Sequence, residues 1–200
     1  TILDPACGTG TFLVEVIDLI HKTMKAKWQK ERRLPLEIPQ LWNDYVAQHL
    51  LPRLYGYELM MAPYAIAHMK LGLKLHETGY HFASNQRARI YLTNALEPPV
   101  EQLPLIGFEA LAHEAAEVNE VKRAKRFTVV IGNPPYAGLS ANLNSEARAI
   151  VEHYKFIGGL RIREKGALQF EKNLQDDYVK FFAWSEKTAV RCRCSSSMWT

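Results

Sequence analysis

Thr1-Ile2-Leu3-Asp4-Pro5-Ala6-Cys7-Gly8-Thr9-Gly10-Thr11-Phe12-Leu13 decides how the chain folds. Thr1-Ile2-Leu3 reads as the end of a buried strand. Asp4 to Gly10 then turns on glycine, which lets a backbone bend tightly and approach a ligand without a Cβ in the way. Phe12, Leu13, Val16, Ile17 and Ile20 recur at helical spacing. Strand, glycine turn and helix make the first half of an α/β unit. The turn lacks the Lys-Ser/Thr ending of a phosphate-binding P-loop.

Further along, the same alternation repeats. Lys22 to Gln48 is polar and basic, with Pro35 and Pro39, and reads as an inserted helical segment over about 22–50 whose last helix lies near Leu41–Leu50. Arg53–Glu58 reads as a second strand, followed by a helix with Pro63 in its first turn that runs to about His76. Ala88–Leu92 is a third strand, Glu97–Gln102 a loop, and Phe108–Lys125 at least partly helical. Phe127–Gly132 is β-branched and apolar, a fourth strand stopped by the prolines of Asn133-Pro134-Pro135-Tyr136. Leu139–Gly166 reads as a long loop or short-helix region and Glu171–Val190 as one helix. The expected architecture is α/β: a doubly wound, mostly parallel, Rossmann-like sheet in one partial domain over 1–190. Residues 191–200 match neither period and read as a disordered tail.

Ligands in such sheets bind beyond the carboxyl ends of the strands. Each unusual cluster falls at such an end: Asp4–Gly10, Glu58, Asn94 and Asn133–Tyr136. Asp4 offers a carboxylate to a cationic amino group. Glu58 can accept from a ribose diol, or can be an ordinary loop acid. Asn94 can donate and accept, which suits an adenine edge or a plain turn. The last cluster is the most specific. Methylating an aromatic exocyclic amine is hard because its lone pair is delocalised into the ring. Acceptors aimed at the amine draw the lone pair out and stabilise the charge that develops. The Asn133 side-chain oxygen and the Pro134 carbonyl are such acceptors, held by the two prolines, and Tyr136 offers a flat face for a base.

On these residues the chain resembles the gamma-type N6-adenine DNA methyltransferases, and is similar to the methylase domains of single-polypeptide restriction-modification enzymes. Asp4–Leu13 resembles their motif I and Asn133–Tyr136 their motif IV. Tyr55–Leu59 resembles motif II, Leu92–Leu96 motif III, and Asp176–Phe182 the motif V helix. The resemblance implies a fold dependent on S-adenosylmethionine, without a metal. It places Asp4, Ala6 and Gly8 around the methionine part of that cofactor, with Pro5, Cys7, Gly10 and Phe12 completing the loop. It puts Glu58 on the ribose and Asn94, beside Ala95, on the cofactor adenine. Asn133, Pro134, Pro135 and Tyr136 would grip a flipped-out target adenine, and Tyr178 and Phe182 would either wall the pocket or serve as plain helix core. Asn94 departs from the Asp common in motif III. Motif X, the later strands and a target-recognition domain that would meet double-stranded DNA are expected outside these 200 residues, as is a fused endonuclease or helicase. The same turn can hold a glutamine amide or cytosine N4, and a third possibility is an inactive fragment that binds nucleotide or protein.

Composition fits this expectation without requiring it. The chain has 48% hydrophobic and 23% charged residues, enough for one domain with a core. Net charge is +4, with basic clusters at Lys22–Arg33 and Lys122–Arg126 that suit either a phosphate backbone or a solvated helix face. No apolar run approaches the roughly 18–20 residues of a membrane span, and no signal pattern is visible, so a cytoplasmic location is expected. Cys7, Cys192 and Cys194 form neither a disulfide framework nor a complete zinc site.

Overall fold

The computed structural model describes residues 1–83, 86–99, 109–136, 140, 142, 144–163 and 171–189. Four parallel strands form the main sheet: β1 (Ile2–Asp4), β2 (Leu54–Glu58), β3 (Arg89–Leu92) and β4 (Val129–Val130), in the order β3-β2-β1-β4. The chain winds from β1 out to β3, then returns to place β4 on the other side of β1. The crevice between β1 and β4 is therefore the topological switch point, where open α/β sheets bind ligands.

Alternation along β2 divides the interior in two. Leu54 faces one side, where it meets Leu13 and Ile17 of α1 (Thr11–Lys30) and Leu71 and Leu75 of α3 (Met61–Glu77). Tyr55 and Tyr57 face the other, with Leu3, Tyr91, Phe127, Val118 and Val121 of α4 (Glu109–Ala124), and Phe181 of α7 (Asp177–Thr188). Both faces are covered, as a parallel sheet requires. Burial of each large side chain contributes on the order of 1.5–3 kcal/mol.

Several boundaries differ from the sequence reading. α1 does not break at Lys22 but runs to Lys30, because no Gly or Pro interrupts it and Met24 and Trp28 continue its apolar side. It ends at Arg32, in the left-handed region at φ 58, where Arg32 N–H donates to Gln29 O and Arg33 N–H to Trp28 O, both at 3.0 Å. That is a Schellman ending with arginine where glycine is usual. α2 (Ile38–Tyr45) passes into a π-turn over Val46–Leu50 and a 3-10 turn over Leu51–Arg53, which delivers the chain into β2. Trp42 anchors this insertion, its Nε1–H donating to Thr78 Oγ1 at 3.0 Å.

β4 is shorter than Phe127–Gly132. Only Val129 and Val130 are laddered to β1, opposite Ile2 and Leu3, while Phe127 forms a parallel bridge to Ala189 after α7. The helix read over Glu171–Val190 is two: α6 (Glu171–Leu174) and α7. Asp176 causes the break, adopting an extended ψ of 139° and accepting from Tyr178 N–H as the cap of α7. The region 139–166 contains α5 (Ser145–Ala149) and a small hairpin of β5 (Phe156–Ile157) and β6 (Leu160–Arg161). Gly158 and Gly159 join the two strands at φ 57° and 83°, the positive values such a two-residue turn demands. Residues 191–200, with Cys192 and Cys194, lie outside the described residues.

Candidate functional site

β1 ends on a carboxylate that the fold removes from water. Asp4 is buried; its Oδ1 accepts from Ala6 N–H at 3.2 Å, and its Oδ2 is buried with no hydrogen-bond partner among the described residues. Burial pushes the Asp4 carboxyl up to about 7, helped by the Glu58 charge and opposed by the Ala6 hydrogen bond. Pro5 and Cys7 are buried beside it, and Cys7 N–H donates to Tyr57 O at 2.9 Å, fastening the loop to β2. Burial and the carboxylates of Asp4 and Glu58 keep the Cys7 thiol protonated.

Two glycines fit this loop for different reasons. Gly8 turns at φ +55 into open space, with no atom within 4 Å of where a Cβ would stand. Gly10 turns at φ +76 against α3, where a Cβ would lie 2.8 Å from Leu71 Cδ1. Phe12, in the first turn of α1, is part-exposed.

Glu58 closes the loop from the side. Its Oε2 accepts from Gly8 N–H and its Oε1 from Met60 N–H, each at 2.8 Å. Asn94, beyond β3, is also engaged: its Nδ2 donates to Asn142 Oδ1 at 2.7 Å and Glu97 Oε1 at 3.2 Å, while its Oδ1 accepts from Leu96 N–H. Ala95 is turned into the core on the α4 side.

The turn after β4 stands directly beside Asp4. A Cβ at Gly132 would lie 2.6 Å from Asp4 Oδ1, so only the bare backbone passes there. Asn133 and Pro135 are exposed and Pro134 half-buried. Tyr136 is 73% exposed and stacks on Tyr178 of α7, with ring centroids 4.7 Å apart and planes 11° from parallel. Phe182, one turn along α7, is 57% exposed. Asp4, Gly8, Glu58 and the Asn133–Tyr136 turn thus gather at one end of the sheet, around the β1–β4 switch point.

Elsewhere, a cavity of about 820 Å³ opens on the α4–α7 side, lined in part by Tyr57, Lys122, Arg126, Trp184 and Lys187. Lys122 donates to the Asn94 and Glu97 carbonyls there, and burial lowers its ammonium to about 8. Neither Asp4, Glu58, Asn133 nor Tyr136 lines it. Among the described residues, no cluster of three His, Cys, Asp or Glu side chains could hold a metal, and no helix is long and apolar enough to cross a membrane.

The family model described as the MmeI DNA-methyltransferase domain matches residues 1–162. The chain belongs to this family. Comparison with curated proteins gives no match. Solved structures with the same fold include a nuclease-deletion mutant of the Type ISP restriction-modification enzyme LlaGI in complex with a DNA substrate mimic. It is 19% identical with a TM-score of 0.65, over 94% of this chain and 14% of that one. The ATP-dependent Type ISP restriction-modification enzyme LlaBIII bound to DNA is 21% identical with a TM-score of 0.64, over 94% and 12%. A DrdV–DNA complex is 24% identical with a TM-score of 0.57, over 94% and 16%. The chain thus spans less than a fifth of the length of these proteins.

Four residues of this domain escaped the sequence reading. Gly132 was taken as the end of a strand, not as the residue that makes room for Asp4. Ser140, Asn142 and Lys180 meet through contacts spanning 38 to 48 residues. A lysine set between Tyr178 and Phe181 on an aromatic helix was the one visible signal.

Proposed function

We propose that this domain methylates N6 of adenine in double-stranded DNA, using S-adenosylmethionine, as the modification part of a restriction-modification enzyme. The observation that carries the reading is the exposed Tyr136–Tyr178 stack immediately after Asn133-Pro134-Pro135, beside the buried Asp4. The residues present suit the cofactor. The Asp4 Oδ2 without a partner among the described residues matches an ammonium group, and Gly8, in the same loop, adjoins open space. Glu58 accepts one N–H on each oxygen, which leaves lone pairs for ribose hydroxyls. Asn94 and Phe12 would flank the cofactor's adenine side. When bound, S-adenosylmethionine supplies an electrophilic methyl group.

The chain's own residues do the rest. A base must leave the duplex stack to present N6 here. Tyr136 gives it a face on which to stack. The Asn133 side-chain oxygen and the Pro134 carbonyl accept the two N6–H bonds, localise the lone pair on nitrogen and hold the positive charge that builds there. Pro134 and Pro135 keep those acceptors from rotating away. No covalent link to the enzyme is needed, and the protonated Cys7 thiol is unsuited to one. Target choice, and any accompanying nuclease or helicase, belongs to segments beyond these residues. The similarity to restriction-modification enzymes in complex with DNA supports that assignment.

The test uses tritiated cofactor, plasmid DNA and nucleoside analysis, with a release-factor glutamine peptide as a parallel substrate. Label in N6-methyladenine is expected. Label in N4-methylcytosine would overturn the choice of base, and label only in the peptide the choice of DNA. Calorimetric cofactor binding without any transfer would favour a binding fragment.

A further inference from the structure

On α7, a polar side chain that the proposed chemistry does not use joins residues of separate segments. Lys180 lies on α7, two residues beyond Tyr178, and has no exposed surface. Its ammonium donates to Ser140 Oγ at 2.7 Å and to the Asn142 carbonyl at 2.8 Å. The Ser140 hydroxyl donates to the carboxylate of Asp177, itself buried. Asn142 Oδ1 accepts from Asn94 Nδ2 at 2.7 Å. A continuous path of hydrogen bonds therefore runs from Lys180 on α7, through Asn142, to Asn94 beyond β3.

Burying an ammonium is costly unless it is paired and hydrogen-bonded. α7 has no packing need for one here: methionine fills a similar volume, and neighbouring Phe181 is core. Replacing a whole buried polar group, partners included, with apolar side chains is often neutral or stabilising, whereas removing one partner alone is destabilising. The lysine at this place is therefore explained by what it holds together rather than by net stability gained over an apolar core.

We propose that Lys180 is a positioning residue for methyl transfer. It holds Ser140 and Asn142, which follow Asn133-Pro134-Pro135-Tyr136 in the chain, against α7 and Asn94. The seat for the target base and the edge for the cofactor's adenine then keep one fixed spacing. The inference rests on the reading of Asn133–Tyr136 as the base site and Asn94 as a cofactor residue. Reacting groups displaced by about an ångström can lose on the order of a hundredfold in rate.

The test uses the protein at its full natural length, with Lys180→Met and Ser140→Ala made singly and together. Turnover is measured alongside cofactor affinity by calorimetry, thermal unfolding, and fluorescence of 2-aminopurine at the target position. Each single variant is expected to lose roughly tenfold to a hundredfold in kcat. Cofactor affinity should weaken severalfold, and the fluorescence of the flipped base should change, with the unfolding midpoint within about 3 °C of wild type. The double variant should be no worse than Lys180→Met, because Ser140→Ala removes one of the two contacts that Lys180→Met already removes. A folded Lys180→Met enzyme with wild-type kcat, cofactor affinity and fluorescence overturns the proposal. So does a rate loss matched in full by loss of folded protein. Where Lys180→Met does not fold, Ser140→Ala decides: unchanged turnover in it is equally fatal. Asn133→Ala, run in parallel, separates the two levels. Normal turnover there removes the base site itself, whereas loss there beside normal Lys180→Met turnover removes only the role of Lys180.

Discussion

The loop after β1 and the turn after β4 leave neighbouring strands at the same end of the sheet, yet they are held in opposite ways. The first is packed from within. Pro5, Cys7 and Gly10 are buried, Cys7 N–H is bonded to the β2 backbone, and Gly8 N–H is bonded to Glu58. The second stands in solvent. Asn133, Pro135 and Tyr136 are exposed, and the turn keeps its shape through its prolines and the side chains of α7. A region held by core packing reports damage as lost stability. A region held by local rigidity and a few side chains reports it as lost function in a protein that remains folded.

The largest expected effect breaks the exposed turn alone. Asn133→Ala removes a side-chain acceptor that nothing in the core depends on. Methyl transfer should fall by at least about a hundredfold to a thousandfold, with the unfolding midpoint unchanged and cofactor still bound in calorimetry. A large drop in melting temperature would show that the two regions are not so differently held.

Next in size is the converse experiment. Gly10→Ala forces a side chain into a φ of +76 and sets its Cβ 2.8 Å from Leu71 Cδ1. The left-handed backbone costs about 1–2 kcal/mol and the overpacking about 1–3 kcal/mol more. Denaturant unfolding should show a loss of roughly 2–5 kcal/mol. Wild-type stability in this variant would mean that α1 and α3 can part freely at Gly10.

Asp4 links the two regions and makes their difference depend on pH. Its carboxyl is raised from 3.8 to about 7, chiefly by burial. The native state therefore holds a proton that the unfolded chain has already lost between those values. The contribution of Asp4 to stability is therefore greatest below about pH 4, declines as pH rises, and levels off above about 7. A shift of about 3 units corresponds to at most about 4 kcal/mol at 1.36 kcal/mol per unit, and relaxation of the site should reduce it to about 1–3 kcal/mol. Asp4→Asn should remove that slope and unfold less readily at pH 8. Cofactor binding should weaken in the same variant, since an ammonium loses its counter-charge. The wild type should also release a proton on binding at pH 6–7, seen as a binding enthalpy that varies with the buffer. A flat stability profile in the wild type would contradict the burial of this charge.

The contrast also explains what could be read from the sequence. Asp4–Gly10 was legible because its constraints are local: a strand end, a proline and glycines whose φ values a turn demands. Asn133–Tyr136 was legible because two prolines after an apolar strand leave little choice of conformation. The length of α1 was misjudged because basic residues at Lys22–Lys30 obscured the continuing apolar side at Met24 and Trp28. The break at Asp176 was missed because a capping aspartate inside an aromatic run looks like a surface position until its carboxylate is seen to accept from Tyr178 N–H. The Gly158–Gly159 hairpin carried a signal, but strands of two residues are too short to show alternation. The Lys180 path was beyond reach for another reason: hydrogen bonds across some 40 residues leave no periodic trace.

The smallest expected effect tests the exposed turn most finely. Tyr136 meets α7 with its ring stacked on Tyr178. If that ring serves as the seat of a flipped base, its face matters and its hydroxyl does not. Tyr136→Phe keeps the face and should change turnover and DNA affinity by less than about twofold, on the order of 0.4 kcal/mol. Tyr136→Ala deletes the face and should cost about 1–3 kcal/mol of base binding, visible as lost 2-aminopurine fluorescence change with cofactor affinity intact. Neither should move the melting temperature by more than about 2 °C, because a residue this exposed adds little to the core. A Phe variant as defective as the Ala variant would instead make the hydroxyl the working group. The turn would then act by hydrogen bonding at Tyr136, as it is proposed to do at Asn133, rather than by stacking.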